Sequence, residues 1–301
     1  MSKEPKIIYI VSDVRSGSTL LDFLMGRHEK ITSVGEFHWL NDSFNNRFSD
    51  DDITRGTCSC GEQTPNCDFW FSLEQGLNRT GNSLKELRTF VEVPKGLFAK
   101  LWMNFVLIFS KSSSFKKLEN EEVIENCQLV FEEIFEQQGT KFILESSKET
   151  ERALLYKKHL PFECKFIFLV RDSRGVVLSK MKRGLSFYKS TISWFLHNLK
   201  QLIVQTSFSK EERIFITYES LCNSPQKELE RIFSFLNIEN QTSELEYYSS
   251  HNIGGSPYRF DKEPLQIKLD EKWKSSFSFL QKAIIMIITG PLNWYFSTIK
   301  T

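Results

Sequence analysis

Residues Tyr9 to Leu24, "YIVSDVRSGSTLLDFL", join an apolar strand pattern to a helical one through a short polar loop. The loop "SDVRSGST" carries the hydroxyls of Ser16, Ser18 and Thr19, the permissive backbone of Gly17 and the charge of Arg15. Backbone amides at such a junction, backed by a helix N-terminus, make a seat for an anion. Gly17 allows close approach, the hydroxyls donate, and Arg15 adds fixed positive charge. A second stretch, "FIFLVRDSRGVVLSK", ends a strand on Arg171 and places Ser179 eight residues later on the next helix. A guanidinium with a hydroxyl is a reasonable phosphate clamp. The plainer alternatives are a capped strand-turn-helix for the first stretch and, for the second, a surface ion pair of Arg171 with Asp172 or a neighbour.

The phosphate loop of nucleotide hydrolases and kinases reads G-x-x-x-x-G-K-[ST]. Aligned on Gly17, its first glycine is Ser12 here, and its triphosphate-gripping lysine is Ser18. The loop keeps the anion seat and lacks that lysine.

Alternating strand and helix patterns must position these residues. "KIIYIV", "KFILES", "KFIFLV" and "RIFITY" read as buried strands. Helical patterns follow each: from about Ser18 to Gly26, "KETERALLYKKHL", "SRGVVLSKMK" with "STISWFLHNLKQLIVQ", and "SPQKELERIFSFLN". Such alternation predicts a three-layer α/β fold, a central parallel sheet flanked by helices and similar to phosphate-loop nucleotide hydrolases. Ligands in these sheets sit beyond the carboxyl ends of the strands. Ser12–Thr19, Glu145–Lys148, Arg171–Ser173 and Tyr218–Ser220 then share one rim. The expectation is a single domain, 1–301, with a variable, largely helical insertion at about 41–139. Within the insertion, helix is expected over about Ser83–Lys116 and over "NEEVIENCQLVFEEIFEQQG", which Gly139 stops.

"RSGSTLL" and "VRDSRGVVLS" together resemble the sulfotransferases that use 3′-phosphoadenosine 5′-phosphosulfate (PAPS). The resemblance implies that Arg15, Ser16, Gly17, Ser18, Thr19 and Leu20 cradle the 5′-phosphosulfate and that Arg171 and Ser179 hold the 3′-phosphate. "TYESL" is similar to a family segment that brings Tyr218 near the nucleotide. "HNIGGSPYRF" resembles a closing C-terminal loop with Arg259 as a phosphate contact, followed by the tryptophan segment "DEKWK". "SVGEFHWL" resembles the Gly-Glu segment of the glycan and tyrosylprotein branches more than the cytosolic branch with its histidine base. That implies Glu36 as general base, with His38 as substitute and both near the acceptor. Lys148, in "ILESSKET", and Arg15 are implied to stabilise the leaving group. Transfer would be direct and in line, the product 3′-phosphoadenosine 5′-phosphate (PAP), and no metal is expected.

The 301 residues are 40% hydrophobic with net charge +1, so any anion site must be local. The short basic runs "KMKRG" and "YKKH" lack the interleaved aromatics of a nucleic-acid binder. "MSKEPKIIYIVSD" carries no apolar signal core. "LWMNFVLIF" is too short to span a bilayer, and "AIIMIITGPLNWYF" reads as broken at Gly290 and Pro291. A soluble, cytoplasmic protein without an integral membrane segment is expected. Cys127, Cys164 and Cys222 read as buried thiols. Cys58, Cys60 and Cys67 cluster in "CSCGEQTPNCDFW", where three ligands do not close a zinc site and no neighbouring histidine completes it.

The acceptor is open: a small-molecule alcohol or amine, with glycan and tyrosyl-peptide acceptors as alternatives. A small-molecule kinase would want a lysine at Ser18 and a magnesium carboxylate, for which Asp172 is a poor match. An inactive nucleotide-binding relative would have lost one of the site residues, and none is lost. Oligomeric state is not legible.

Overall fold

In the computed structural model, which describes residues 4–48, 53–91, 121–240, 250–260 and 267–298, the run "KIIYIVS" forms the central strand β1 (Lys6–Ser12). Its side chains alternate between two cores. Ile7, Tyr9 and Val11 point to one face, Ile8 and Ile10 to the other, and all five are fully buried. A strand apolar on both faces demands helices on both sides.

Five parallel strands run in the order β2-β3-β1-β4-β5, with β2 at Ile31–Gly35, β3 at Phe142–Lys148, β4 at Glu163–Val170 and β5 at Arg213–Thr217. Helix α1 (Ser18–Met25) packs Leu21 and Leu24 on the Ile8/Ile10 face. The opposite face is covered by α2 (Asp68–Arg79), α3 (Glu121–Gln138) and α4 (Thr150–His159), through Trp70, Val130 and Leu154. After β4 come α5 (Ser173–Met181) and α6 (Phe187–Val204); after β5 come α7 (Tyr218–Asn223) and α8 (Pro225–Phe235). Helix α9 (Phe279–Thr298) packs on α5 and α6. Because β1 lies between β3 and β4, the chain turns to opposite sides of the sheet there, and the crevice opens beyond its carboxyl end.

The expected three-layer parallel architecture is therefore observed, and three local readings change. Strand β2, five residues with polar Thr32 and Ser33, is an addition to the four strands expected. The helix expected from Ser83 does not start there: Leu84–Glu86 is a turn, and 87–91 is irregular. Its carbonyls are claimed by side chains, Arg88 O by Asn126 and Thr89 O by Arg152. The rest of that stretch, and "LWMNFVLIF" with it, lies outside the described residues. Gly290 and Pro291 do not break the C-terminal helix, which runs through both. Leu292 and Phe296, beyond the proline, bury against Trp194 and Val176, and that packing carries the helix across the lost hydrogen bond. Among the described residues, no helix is long and apolar enough to cross a membrane.

Candidate active site

A cavity of about 760 Å³ opens beyond the carboxyl ends of the strands. Its floor is the β1–α1 loop. Arg15 and Gly17 both hold left-handed backbones, at φ 72° and 92°, and Gly17 is the N-cap of α1. Left-handed residues ahead of a helix N-terminus shape the kind of backbone concavity that binds anions. A Cβ on Gly17 would stand 2.5 Å from the Tyr218 ring, so both the conformation and the close approach require glycine. Tyr218 lies against Gly17 on one side and under the Arg171 guanidinium on the other, 4.2 Å from its ring centroid.

The two motifs meet directly. Arg15 Nε donates to Ser179 Oγ at 2.8 Å, and Arg171 Nη1 donates to the Arg15 carbonyl at 3.2 Å. Arg171 also pairs with the Asp270 carboxylate at 3.2 Å. The alternative pairing of Arg171 with Asp172 is not the one formed. Asp172 instead caps α5, accepting from the Arg174 amide at 2.8 Å and from the Arg174 guanidinium. Burial, then the neighbouring Arg183 and Arg171 guanidiniums, push the Arg15 pKa below the ordinary arginine value. Positive charge is crowded here in advance of a ligand.

The second wall is built around Gly35 and Glu36. Gly35, at φ 71°, ends β2 and pairs with Ile253; a Cβ there would lie 2.5 Å from the Ile253 carbonyl oxygen. Glu36 N donates to that same carbonyl at 2.7 Å. The glycine thus lets residues 252–254 lie along the outer edge of β2. Glu36 lines the cavity from this corner. One carboxylate oxygen accepts from Trp39 Nε1 at 3.2 Å, and the other is paired with the Lys148 ammonium. Lys148 ends β3 with φ 78°, a left-handed backbone unusual for a lysine. Below it, the buried Glu145 carboxylate takes Arg152 Nε at 2.7 Å, Tyr156 OH at 2.5 Å and Ser147 Oγ at 2.5 Å, which fixes the strand end.

Arg15, Gly17, Ser18, Thr19, Leu20, Glu36, Lys148, Arg171 and Tyr218 all line this cavity. Four candidates stand behind its surface. Ser16 is buried beneath the loop. Ser179 reaches the site through Arg15. His38 is buried against Trp39, its amide bonded to Ser147 Oγ, and desolvation holds its pKa well below the ordinary histidine value. Arg259, 1% exposed, donates from Nη1 to the Gly254 carbonyl and from Nη2 to the Thr57 carbonyl. These bonds tie residues 254–259 to Thr57.

Sequence reasoning missed Arg55, Lys180, Arg183 and Lys268, which also line the cavity. Lys180 had a legible signal, since it follows Ser179 on α5; it pairs with buried Asp13 at 2.7 Å. Arg55, on the short helix Ile53–Gly56, and Lys268, in irregular chain, come from segments distant in sequence, with no local pattern to reveal them. Gly255 and Ser256 close the rim, where Ser256 N donates to Thr19 Oγ1 at 3.2 Å.

Residues 5–242 match the family described as "Sulfotransferase family". The chain belongs to that family. Solved sulfotransferase structures share the fold. The sulfotransferase domain from the curacin biosynthetic pathway is 20% identical, with a TM-score of 0.55 over 97% of this chain and 98% of that one. The sulfotransferase domain of the Synechococcus PCC 7002 olefin synthase is 20% identical, with a TM-score of 0.56 over 100% of this chain and 98% of that one. No curated protein matches the chain. Membership over most of its length makes the protein an enzyme of the sulfotransferase class.

Proposed function

We propose that this sulfotransferase moves a sulfuryl group from PAPS to a hydroxyl or amine of a small-molecule acceptor, with Glu36 as general base. The observation that carries the reading is one carboxylate, Glu36, paired to Lys148 inside a cavity whose other charged lining residues, among those described, are Arg15, Arg55, Arg171, Lys180, Arg183 and Lys268. That charge set suits a ligand with two separated anionic groups and one proton to be removed nearby.

The Gly17 loop, with Ser18 and Thr19, would seat the 5′-phosphosulfate. Arg171 and Ser179 would hold the 3′-phosphate beside Tyr218. Ser179 Oγ accepts from Arg15 and keeps its own proton to donate. Asp270 occupies one edge of the Arg171 guanidinium, and a phosphate there would take its place. PAPS supplies the sulfuryl group, and PAP is the product. Glu36 takes the acceptor proton as the new bond to sulfur forms. Lys148 and Arg15 face the negative charge that gathers on the departing phosphate. The Lys148–Glu36 pair gives this division of labour an order. The ammonium restrains the carboxylate, and a phosphosulfate drawing the ammonium away would free the base.

A kinase reading finds less support. Ser18 stands where the triphosphate lysine would be, and Asp172 is committed to Arg174 and the α5 cap.

The test is turnover. Full-length protein with PAPS and a panel of small alcohols, amines, phenolic peptides and oligosaccharides, read by mass spectrometry, should give sulfonated product and stoichiometric PAP from a small-molecule alcohol or amine. Product from the peptides or oligosaccharides alone would overturn the acceptor class. Phosphorylated product from ATP and magnesium would overturn the reaction.

A further inference from the structure

Outside the lining of the cavity, the chain completes a ligand set that local spacing leaves open. Cys58, Cys60 and Cys67 are joined by His251, and the four ligand atoms all lie within 4.8 Å of one another. We propose that these four residues bind one zinc ion as a closed structural site, stapling the 58–67 turn to the segment that forms the Glu36 corner.

The chemistry of the donors selects the metal. Three thiolates and an imidazole form the Cys₃His set that zinc takes tetrahedrally, with no position left for water or substrate. A tetrahedral zinc holds a thiolate sulfur and an imidazole nitrogen roughly 3.6 Å apart, given Zn–S of about 2.3 Å and Zn–N of about 2.0–2.1 Å. His251 Nδ1 lies 3.2 Å from Cys67 Sγ and 3.9 Å from Cys58 Sγ, on either side of that value. All three cysteines are free thiols, and a disulfide would strand one of them.

The surroundings hold the ligands in place. Cys58 N donates to Glu62 O at 2.8 Å, and Gly61 N to Cys58 O at 2.9 Å, so a tight turn presents Cys58 and Cys60 together. Gly61 takes φ 102° in that turn. Phe69 stacks on the His251 ring at 5.1 Å and 8°, and Trp70 Nε1 donates to the His251 carbonyl at 2.9 Å. Ser59 N donates to Asn252 O at 3.0 Å, and Asn252 N to Ser59 Oγ at 2.9 Å. Aromatic stacking and backbone bonds thus orient the histidine from outside, as outer-shell groups do around metal ligands.

The staple leads to the active site residue by residue. Asn252, next to the ligand histidine, donates to Asp22 on α1 at 3.0 Å. Ile253 pairs with Gly35, and Gly254 packs on the Glu36 side chain. Ser256 reaches Thr19. A metal at His251 fixes the start of this run, and no reacting group touches it.

Metal analysis of the untagged full chain, grown with zinc and purified without chelators, should find about one zinc per chain. Replacing it with cobalt(II) should give the intense visible bands of a tetrahedral thiolate site. The double variant Cys58→Ser/Cys67→Ser should lose the metal, and Cys164→Ser should keep it. A folded wild-type chain without metal, with no tetrahedral cobalt spectrum, would overturn the proposal. So would a disulfide among the three cysteines, or full zinc retention by the double variant. The wild-type arms decide the matter even where a variant fails to fold.

Discussion

Glu36 and Lys148 meet, carboxylate to ammonium, from the carboxyl ends of the neighbouring strands β2 and β3. Each is set by its backbone. Gly35 opens the β2 corner for Glu36, and the left-handed turn at Lys148 lifts its side chain toward the same cavity. The pair links the proposed base to the proposed stabiliser of the leaving group.

Glu36→Gln keeps the shape and removes the proton acceptor. Turnover should fall at least about a hundredfold, the typical contribution of a positioned base. PAP affinity should change less than about threefold, equivalent to under ~1 kcal/mol. Steady-state kinetics with a binding titration checks this. Full turnover in the variant would remove Glu36 from the role.

Lys148 separates strain from charge. Both Lys148→Ala and Lys148→Gly lose the ammonium, and both should lower kcat. Only glycine relieves the left-handed backbone, so Lys148→Gly should be the more stable of the two by about 1 kcal/mol. Paired urea denaturations read the difference. Equal stability would show that the conformation stores no strain.

Gly17→Ala puts a methyl 2.5 Å from the Tyr218 ring and forces alanine to φ 92°. Loop, ring or both must move. PAP binding should weaken at least about tenfold, ~1.4 kcal/mol, with the far-ultraviolet spectrum unchanged. Unaltered affinity would show that the Gly17–Tyr218 contact does not shape the nucleotide seat.

Asp22 supplies a pH test. Ser33 and Ser146 donate to it alongside Asn252, and desolvation by burial raises its pKa from the ordinary 3.8 to about 6. A raised carboxyl binds its proton more tightly in the folded chain. Its contribution to stability is therefore full below about pH 4 and is lost as pH rises through about 6. Asp22→Asn cannot titrate. Between pH 4 and 7 the wild type should lose up to about 3 kcal/mol relative to the variant, since each tenfold difference in proton affinity between the folded and unfolded chain is worth ~1.4 kcal/mol. Denaturant midpoints at both pH values check it, and a constant gap would contradict it.

The parts legible in sequence were those fixed by local pattern. Strand β1 and its loop, Arg171 with Ser179, and Tyr218 each sit at a strand-to-helix junction, where apolar alternation stops and polar residues begin. Strand β2 escaped because five residues with Thr32 and Ser33 carry little apolar signal; its outer edge is covered by residues about 220 positions away, at Ile253. His251 was invisible as a partner of Cys67 because 184 residues separate them. The burial of Arg259 was not legible, because its carbonyl partner on Thr57 lies 202 residues away. Pro291 reads as a break because local propensity ignores the packing of Leu292 and Phe296.

The most direct test of the central claim is calorimetric titration of the full chain with PAP beside ATP and magnesium, using wild type and Arg171→Ala. PAP should bind wild type in a single site. Arg171→Ala should weaken it by about ten- to a hundredfold, the ~1.5–3 kcal/mol of a hydrogen bond to a charged group. ATP with magnesium should not compete. Tight ATP binding with PAP excluded, or PAP affinity indifferent to Arg171, would contradict the assignment of this cavity to a 3′-phosphorylated sulfuryl donor.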